Sequence, residues 1–272
     1  MHLTPEQVER YDLDGYLVLP ARVTPDEVAA LRREVARLAP IQCPAIKREH
    51  NGMARSILRA HEADGDTASP AFHALARLPR LLGPAAQLLR DDSLYIYHSK
   101  INVKPALYGG IYSWHQDYGT WQRDGTPDSG ITTAMVMLDD AQEIGGALYF
   151  VPGSHRAGGA AHLEDPQSHA LNPLSVERAA LLNILTAREP VPIVGPAGTV
   201  VFFHSQLVHS SGHNMSPRDR CQVYIVYNPV ANRPRPVANP RPDFVCSRNT
   251  APIAATDDGA LLALSKDGGH GH

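Results

Sequence analysis

The chain has 272 residues, of which 43% are hydrophobic and 19% are charged, a composition that supports a packed core and excludes a disordered protein. The chain has a formal net charge of −3 and therefore lacks the excess of basic residues that is typical of nucleic-acid-binding proteins. We therefore expect no nucleic-acid partner. No apolar run approaches the ~20 residues needed to span a bilayer, so we expect no membrane segment.

The N-terminus and the cysteines indicate the cellular compartment. The first residues contain no charged segment followed by an apolar one, which argues against a secretory signal peptide. Cys43, Cys221 and Cys246 have unrelated spacings, so we expect free thiols and neither a disulfide framework nor a zinc site. These features together predict a cytoplasmic protein.

The first part of the chain is predicted to be mainly helical. Two threonines each precede a proline and acidic residues, a pattern typical of a capped helix with proline at its first position. Between the two helix starts, a short apolar run predicts a strand. The predicted segments, in chain order, are a helix from Thr4-Pro5-Glu6, a strand at 16–19, a helix from Thr24-Pro25 to about Leu38, and a helical region at 70–91 interrupted by Pro79 and Pro84.

From residue 93 onward the pattern changes to short strands separated by turns. In the first strand, alternation places Tyr95, Tyr97, Ser99 and Ile101 on one face and Ile96, His98, Lys100 and Asn102 on the other. Helices followed by many strands predict an α+β protein with a mainly β core, either an antiparallel barrel or a double-sheet jelly roll. The predicted strands are 94–103, 132–138, 147–151, 199–204 and 222–227.

We predict a single domain over residues 1–272. It has a helical part at about 1–92 and a jelly-roll core at about 93–250. Segment 155–192 has little strand character and contains the run GGAA, which predicts a loop or lid. The tail at about 256–272 is expected to be disordered, including His270 and His272.

The stretch SWHQDYGTW places His115 and Asp117 two residues apart. On a strand, side chains at this spacing point the same way, so an imidazole and a carboxylate would converge. With one further histidine they would form the facial triad of non-haem Fe(II) oxygenases. A short pair of this kind arises often by chance, so it needs support from elsewhere in the chain.

The third ligand has three candidates, His204, His209 and His213. His209 is preferred because Ser211 lies two residues further on, and because Arg220 begins a strand that returns towards it. A guanidinium beside a hydroxyl is suited to bind a carboxylate. The alternative is that Arg220 is a surface arginine and that the histidines cap a turn.

Three motifs in this order resemble the phytanoyl-CoA dioxygenase family of Fe(II)/2-oxoglutarate-dependent oxygenases. They are HQD at 115–117, GGALYFVPGSH at 145–155, and H-x-S at 209–211 with an arginine eleven residues after the histidine. The segments at 49–61, 98–130 and 202–232 are similar to the subgroup of ectoine and free-amino-acid hydroxylases. The resemblance covers roughly residues 5–255, and it implies a double-stranded β-helix, the cupin-like jelly roll, with flanking helices.

The resemblance also implies a set of site residues. His115, Asp117 and His209 would bind Fe(II), while Arg220 and Ser211 would bind the far carboxylate of 2-oxoglutarate. Asn102 and Tyr112 would line the same co-substrate pocket. The implied substrate-binding residues are His98, Lys100, Trp121, Phe203, Gln222, Tyr224 and, as a clamp for a carboxylate, Arg55. Phe203 and Tyr224 are equally compatible with ordinary core positions.

The expected reaction is hydroxylation of a C–H bond with O₂ and 2-oxoglutarate, releasing succinate and CO₂. A small zwitterion is the expected substrate, either a free amino acid or a derivative. His98 and Gln222 replace a glutamine and an asparagine of ectoine hydroxylases, which points away from ectoine itself. The open alternatives are desaturation or cyclisation of another natural-product intermediate, a cupin-like metal protein without oxygenase activity, and an inactive binding protein. Either a monomer or a homodimer is expected.

Overall fold

The computed structural model describes residues 2–165 and 174–267. The first two helices begin as predicted, because Thr4 and Thr24 each form a capping box ahead of a proline. The helices are α1 (Pro5–Asp14), α2 (Pro25–Leu38), α3 (Pro70–Leu75), α4 (Pro79–Leu89), α5 (Asp117–Arg123), α6 (Arg178–Ala187) and α7 (Ala260–Asp267).

Most strands belong to two antiparallel sheets. The strands are β1 (Tyr16–Leu19), β2 (Ile46–Arg48), β3 (Ala54–Leu58), β4 (Leu94–Lys104), β5 (Tyr112–His115), β6 (Thr132–Met137), β7 (Leu148–Phe150), β8 (His162–Glu164), β9 (Leu174–Val176), β10 (Val191–Ile193), β11 (Val200–His204), β12 (His209–Ser211) and β13 (Arg220–Pro229). The large sheet has seven strands in the order β1-β11-β6-β13-β4-β3-β2, the small sheet has the order β10-β7-β12-β5, and β8 pairs with β9.

The large sheet has one face towards the helices and one towards the small sheet. Its outer face packs against α1 to α4 and α7 through a core that includes Leu31, Phe72 and Ile225. Its inner face forms a second core with the small sheet, which includes Met135 and Phe150. Two facing antiparallel sheets with flanking helices confirm the predicted α+β fold and its jelly-roll core.

A β-bulge changes the predicted alternation of β4. Val226 pairs with His98, but the next residue, Tyr227, pairs with Ile96, so Tyr97 is an extra residue on β4. Tyr95 and Tyr97 therefore lie in the same hydrophobic cluster as Val226, on the face of the sheet that His98 occupies. Ile96 packs on the opposite face, against the helices. The prediction that His98 and the two tyrosines lie on opposite faces is wrong at this bulge.

The boundaries of the predicted parts also need correction. The N-terminal part contributes β2 and β3 to the large sheet, two strands that the sequence pattern did not reveal. Pro79 separates α3 from α4 by starting a new helix, whereas Pro84 lies inside α4. Because residues 166–173 and 268–272 lie outside the described ranges, the single domain over residues 1–272 stays a prediction.

The C-terminal tail is more ordered than expected. Residues 260–267 form α7, which packs against α2 and α3 with Leu261 fully buried. Asp258 also forms an ion pair of 2.9 Å with Arg80. The predicted disorder is therefore wrong for α7, because burial of Leu261 provides the packing energy that the local sequence does not reveal. His270 and His272 lie outside the described residues.

The remaining predictions about the chain concern its lid, its thiols and its relation to membranes. Segment 155–192 contains the β8–β9 pair and α6, so it is not only loop, and its role as a lid stays a prediction. Cys43, Cys221 and Cys246 are free, as predicted. No helix among the described residues is long and apolar enough to cross a bilayer.

Candidate active site

Three side chains converge between the two sheets. His115 ends β5 and His209 begins β12, and the two residues are paired across these neighbouring strands. The Nε2 atom of His115 lies 3.7 Å from Oδ1 of Asp117, and Nε2 of His209 lies 4.0 Å from Oδ2 of the same carboxylate. One candidate ligand atom from each residue lies within 4.8 Å of the others, a spacing suited to a single metal ion.

The route by which His115 and Asp117 converge differs from the one expected. The strand ends at His115, and Asp117 is already the first residue of α5, so strand alternation does not align their side chains. Gln116 is the extended N-cap residue between them, with φ −118° and ψ 127°. The structure therefore brings the predicted pair together through a strand-to-helix junction.

Both imidazoles are oriented by the backbone. Nδ1 of His115 donates to the carbonyl oxygen of Ser113 at 2.6 Å, and Nδ1 of His209 donates to that of Leu207 at 2.9 Å. Because a carbonyl oxygen only accepts, Nδ1 carries the proton and Nε2 is left with a free lone pair. Backbone bonds of this kind commonly fix the orientation of histidines that bind a metal.

The charges of the three groups also suit a metal. Burial and the neighbouring His209 lower the pKa of His115 to about 3, and burial lowers the pKa of His209. Burial alone would raise the pKa of Asp117, but Lys100 and the two histidines outweigh it and hold that pKa below its ordinary value. Two neutral imidazoles and an ionised carboxylate form a donor set that fits Fe(II).

The other two candidate histidines lie elsewhere. His204 accepts a hydrogen bond from the backbone of Gln206 at 3.0 Å, and its ring lies 5.1 Å from that of His155. His213 binds the carbonyl oxygen of Gly109 at 3.2 Å through Nδ1. Neither belongs to a group of three candidate ligands within the part of the chain that the structure describes.

Arg220 lies on the inner face of the large sheet, 3% exposed. It donates to the carbonyl oxygen of Gly146 at 3.1 Å and to Oε1 of Gln222. Its Nε atom and the Nε2 atom of Gln222 are buried without a hydrogen-bond partner among the described residues. Leaving buried donors unpaired is costly, so these atoms indicate a site for an acceptor from outside the chain.

Lys104 is a second cation beside Arg220, and it was missed by the sequence analysis. The two residues are directly opposite each other on β4 and β13. Lys104 is 1% exposed and donates from Nζ to Oγ of Ser211 at 2.9 Å and to the carbonyl oxygen of Gly212. Burial, followed by repulsion from Arg220, lowers the pKa of Lys104 to about 6. Lys104 lies two residues after Asn102, so strand alternation would have placed both side chains on one face. The predicted strand ended at residue 103, one residue before Lys104.

The remaining co-substrate candidates lie next to this pair of cations. Asn102 is paired with Gln222 across the strands and accepts a hydrogen bond from Ser56 at 2.8 Å. Tyr112 lies with its ring 5.3 Å from Nζ of Lys104. Burial raises the pKa of Tyr112, and the nearby charge of Arg55 opposes that rise. Arg55 itself precedes Ser56 on β3, the residue whose hydroxyl donates to Asn102.

The predicted substrate residues occupy the same inner face. Lys100 is paired with Tyr224, and its Nζ atom lies 5.0 Å from the centre of the tyrosine ring. The Tyr224 hydroxyl donates to Oε1 of Gln222 at 2.8 Å, and Nδ1 of His98 binds the carbonyl oxygen of Val245. Polar side chains of β4 therefore lie beside the aromatic ring of Tyr224 and the amide of Gln222 on β13.

Two aromatic candidates are buried beside the site. The ring of Phe203 lies 5.3 Å from that of His209 and 5.1 Å from that of Phe150, so it is at once a core residue and a wall of the metal site. Trp121 packs edge to face on Tyr97 at 5.5 Å, within the aromatic cluster that contains Val226.

A largely buried ion pair that the sequence did not reveal joins Asp124, which follows α5, to Arg241. Asp124 accepts from Nε of Arg241 at 2.8 Å and from the Tyr97 hydroxyl. Burial is the largest cause of the lowered pKa of His98 and of the lowered pKa of Lys100. The charge of Arg241 lowers both pKa values further, although for His98 the charge of Lys100 has the larger effect. Asp124 and Arg241 are 117 residues apart, so no local pattern could have paired them.

The sequence matches a known family. The model of the phytanoyl-CoA dioxygenase family matches residues 11–221. The chain is 34% identical over 263 residues to an ectoine dioxygenase of Bordetella bronchiseptica, covering 90% of this chain and 83% of that protein. It is 33% identical over 263 residues to an L-proline trans-4-hydroxylase of Streptomyces griseoviridis, covering 91% of this chain and 94% of that protein.

Solved structures agree with this match. EctD from S. alaskensis, in a crystal structure with 2-oxoglutarate and 5-hydroxyectoine, superposes with a TM-score of 0.80 and 30% sequence identity, covering 94% of this chain and 88% of that chain. The crystal structure of EctD with bound Fe has the same TM-score at 29% identity.

Proposed function

This chain belongs to the phytanoyl-CoA dioxygenase family, and from this premise we propose that it is an Fe(II)- and 2-oxoglutarate-dependent hydroxylase. Its substrate is a small zwitterion, a free amino acid or a close derivative. The similarity to an ectoine dioxygenase and to a proline hydroxylase over most of the chain supports this class of substrate. The products are the hydroxylated substrate, succinate and CO₂.

One observation carries the proposal. Two neutral imidazoles with free Nε2 atoms and one ionised carboxylate, from His115, His209 and Asp117, place their ligand atoms within 4.8 Å of one another. These three residues would hold Fe(II) and would leave positions on the ion open for co-substrate and oxygen. When bound, iron and 2-oxoglutarate supply the oxidising chemistry, and the protein supplies binding, orientation and exclusion of water.

Arg220 and Lys104 are proposed to bind the distal carboxylate of 2-oxoglutarate. Two buried cations opposite each other repel, and this repulsion adds to burial in lowering the pKa of Lys104. A carboxylate between them would remove that repulsion and would accept from the unpartnered Nε atom of Arg220. Ser211 holds the Lys104 ammonium in place and lies on β12 two residues after His209, which directs the co-substrate towards the metal.

The substrate is proposed to lie against His98, Lys100, Gln222, Tyr224, Trp121 and Phe203. A buried ammonium, an amide and aromatic rings suit a small molecule with a charged head group better than an aliphatic chain. Arg55, which precedes Ser56 on β3, stays the proposed clamp for a carboxylate of the substrate. We also propose a cytoplasmic monomer or homodimer.

The test is a panel of free amino acids, ectoine and acyl-CoA thioesters incubated with Fe(II), 2-oxoglutarate and O₂. Mass spectrometry would score the gain of one oxygen, and succinate would be measured in parallel. We expect one amino acid or close derivative to gain one oxygen with matched succinate release. Loss of two hydrogens would indicate desaturation or cyclisation, and turnover of an acyl-CoA alone would refute the substrate class.

Metal binding without any substrate-dependent succinate would favour a cupin-like metal protein that is not an oxygenase. Absence of Fe(II) binding as well would favour an inactive binding protein of the same fold. Metal titration under anaerobic conditions therefore belongs beside the substrate panel.

A further inference from the structure

Gln116 lies between the two candidate ligands of the strand-to-helix junction. It is 2% exposed, and its extended backbone ends β5 and precedes α5. A long polar side chain buried at this depth must find hydrogen-bond partners inside the protein. Its partners therefore reveal what the residue holds together.

The side-chain amide of Gln116 makes three hydrogen bonds to backbone. Its Nε2 atom donates to the carbonyl oxygen of Gly158 at 3.1 Å and to that of Gln206 at 2.6 Å. Its Oε1 atom accepts from the backbone N–H of Ala160 at 2.8 Å. The two carbonyl oxygens only accept, so they must face the Nε2 atom of Gln116, and the backbone N–H only donates, so it must face the Oε1 atom. These partners therefore determine the orientation of the amide.

One of these bonds reaches the other half of the metal site. Gln206 lies three residues before His209, in the turn that joins β11 to β12. The backbone N–H of Tyr118 donates to the carbonyl oxygen of Ser205 in the same turn at 3.0 Å. The junction that carries His115 and Asp117 is thus joined to the turn that positions His209.

The other two bonds reach the segment that follows the short 3₁₀ helix at Ser154–Ala157. This segment continues into β8, where the ring of His162 packs against Gly119 of α5. The side chain of Gln116 therefore connects three backbone pieces: the start of α5, the turn before β12 and the start of the segment at 158–164.

We infer that Gln116 is a positioning residue that sets the distance between the His115–Asp117 junction and the turn before His209. This inference rests on the proposed function, since it assigns the residue a role in holding the iron site. Both amide hydrogens and the amide oxygen are used, so no other side chain of this length reproduces the set. Methionine keeps the length without the bonds, and glutamate would place a carboxylate against two carbonyl oxygens.

The test compares Gln116→Met and Gln116→Glu with wild type and with Gln122→Met, a control for the same residue type at an exposed position of α5. Partners that orient metal ligands typically contribute about 10- to 100-fold to metal affinity or activity. We therefore expect both Gln116 variants to bind Fe(II) at least about 10-fold more weakly, and to release succinate in excess over hydroxylated product. The control should match wild type in both measurements.

Hydrogen exchange of the wild-type enzyme tests the same inference without a variant. Because coupling between two sites is reciprocal, saturation with Fe(II) should slow exchange of the Ala160 amide that Gln116 holds. The inference would be overturned if the variants lost thermal stability but kept the Fe(II) affinity and the ratio of succinate to hydroxylated product of the wild type. It would also be overturned if Fe(II) did not change the exchange rate of the Ala160 amide. Failure of the wild type to bind Fe(II) would instead refute the proposed function.

Discussion

Replacing Lys104 by methionine removes a buried charge while keeping the length of the side chain. Loss of one partner of a buried, charge-assisted contact costs about 2–5 kcal/mol. If Lys104 binds the distal carboxylate, the dissociation constant of 2-oxoglutarate should rise by at least about 30-fold where the lysine is protonated. The lysine is half protonated at about pH 6 and mostly protonated below it, because burial and Arg220 lower its pKa to about 6.

The pH dependence follows from the sign of that shift. Above about pH 6 the free protein has lost the Lys104 proton, and a carboxylate beside the ammonium raises the pKa again. Binding of 2-oxoglutarate therefore takes up a proton, and affinity should fall by up to about tenfold for each pH unit above 6. At about pH 8 the cost of protonation is about 3 kcal/mol, so most of the advantage over the methionine variant disappears.

The assay is anaerobic titration of the Fe(II) protein with 2-oxoglutarate at several pH values between about 6 and 8. Wild type should show the falling affinity, and Lys104→Met should show a flat profile, so the two curves converge as the pH rises. Both carboxylates of 2-oxoglutarate are ionised throughout this range and do not contribute to the slope. Equal affinities at the lowest pH, or equal slopes in the two proteins, would refute the reasoning.

Three further outcomes test the site and its support. His209→Ala should abolish Fe(II) binding, whereas His204→Ala should retain it. If metal analysis showed the reverse, the assignment of His209 as the third ligand would be wrong. Arg220→Ala removes the proposed partner of a carboxylate and should raise the KM for 2-oxoglutarate by an amount equivalent to about 2–5 kcal/mol, and an unchanged KM would exclude this role. Asp124→Asn leaves the largely buried Arg241 without its counter-charge and should lower the free energy of unfolding in urea by about 3–5 kcal/mol. A loss below about 1 kcal/mol would show that the pair does not stabilise the fold.

The sequence by itself determined the features that depend on neighbouring residues. The capping threonines and the prolines that follow them act within one helical turn, so both helix starts were predicted at the observed residues. The inner-face alternation of Lys100 and Asn102 follows from the two-residue period of a strand and was read correctly. The order and spacing of His115, Asp117 and His209 matched a known family, and these residues converge in the structure.

Only the tertiary structure decided the features that depend on distant parts of the chain. The bulge at Tyr97 arises from the register between β4 and β13, which are far apart in sequence, and it reverses the predicted facing of two tyrosines. Lys104 acquires its lowered pKa from burial and then from the charge of Arg220, and α7 becomes ordered by packing on α2 and α3. The partners of Gln116 at Gly158, Ala160 and Gln206 lie 42 to 90 residues away, so no local pattern shows what its side chain connects. Local sequence patterns therefore show which side chains can bind a metal, whereas contacts between distant segments decide how those side chains are arranged.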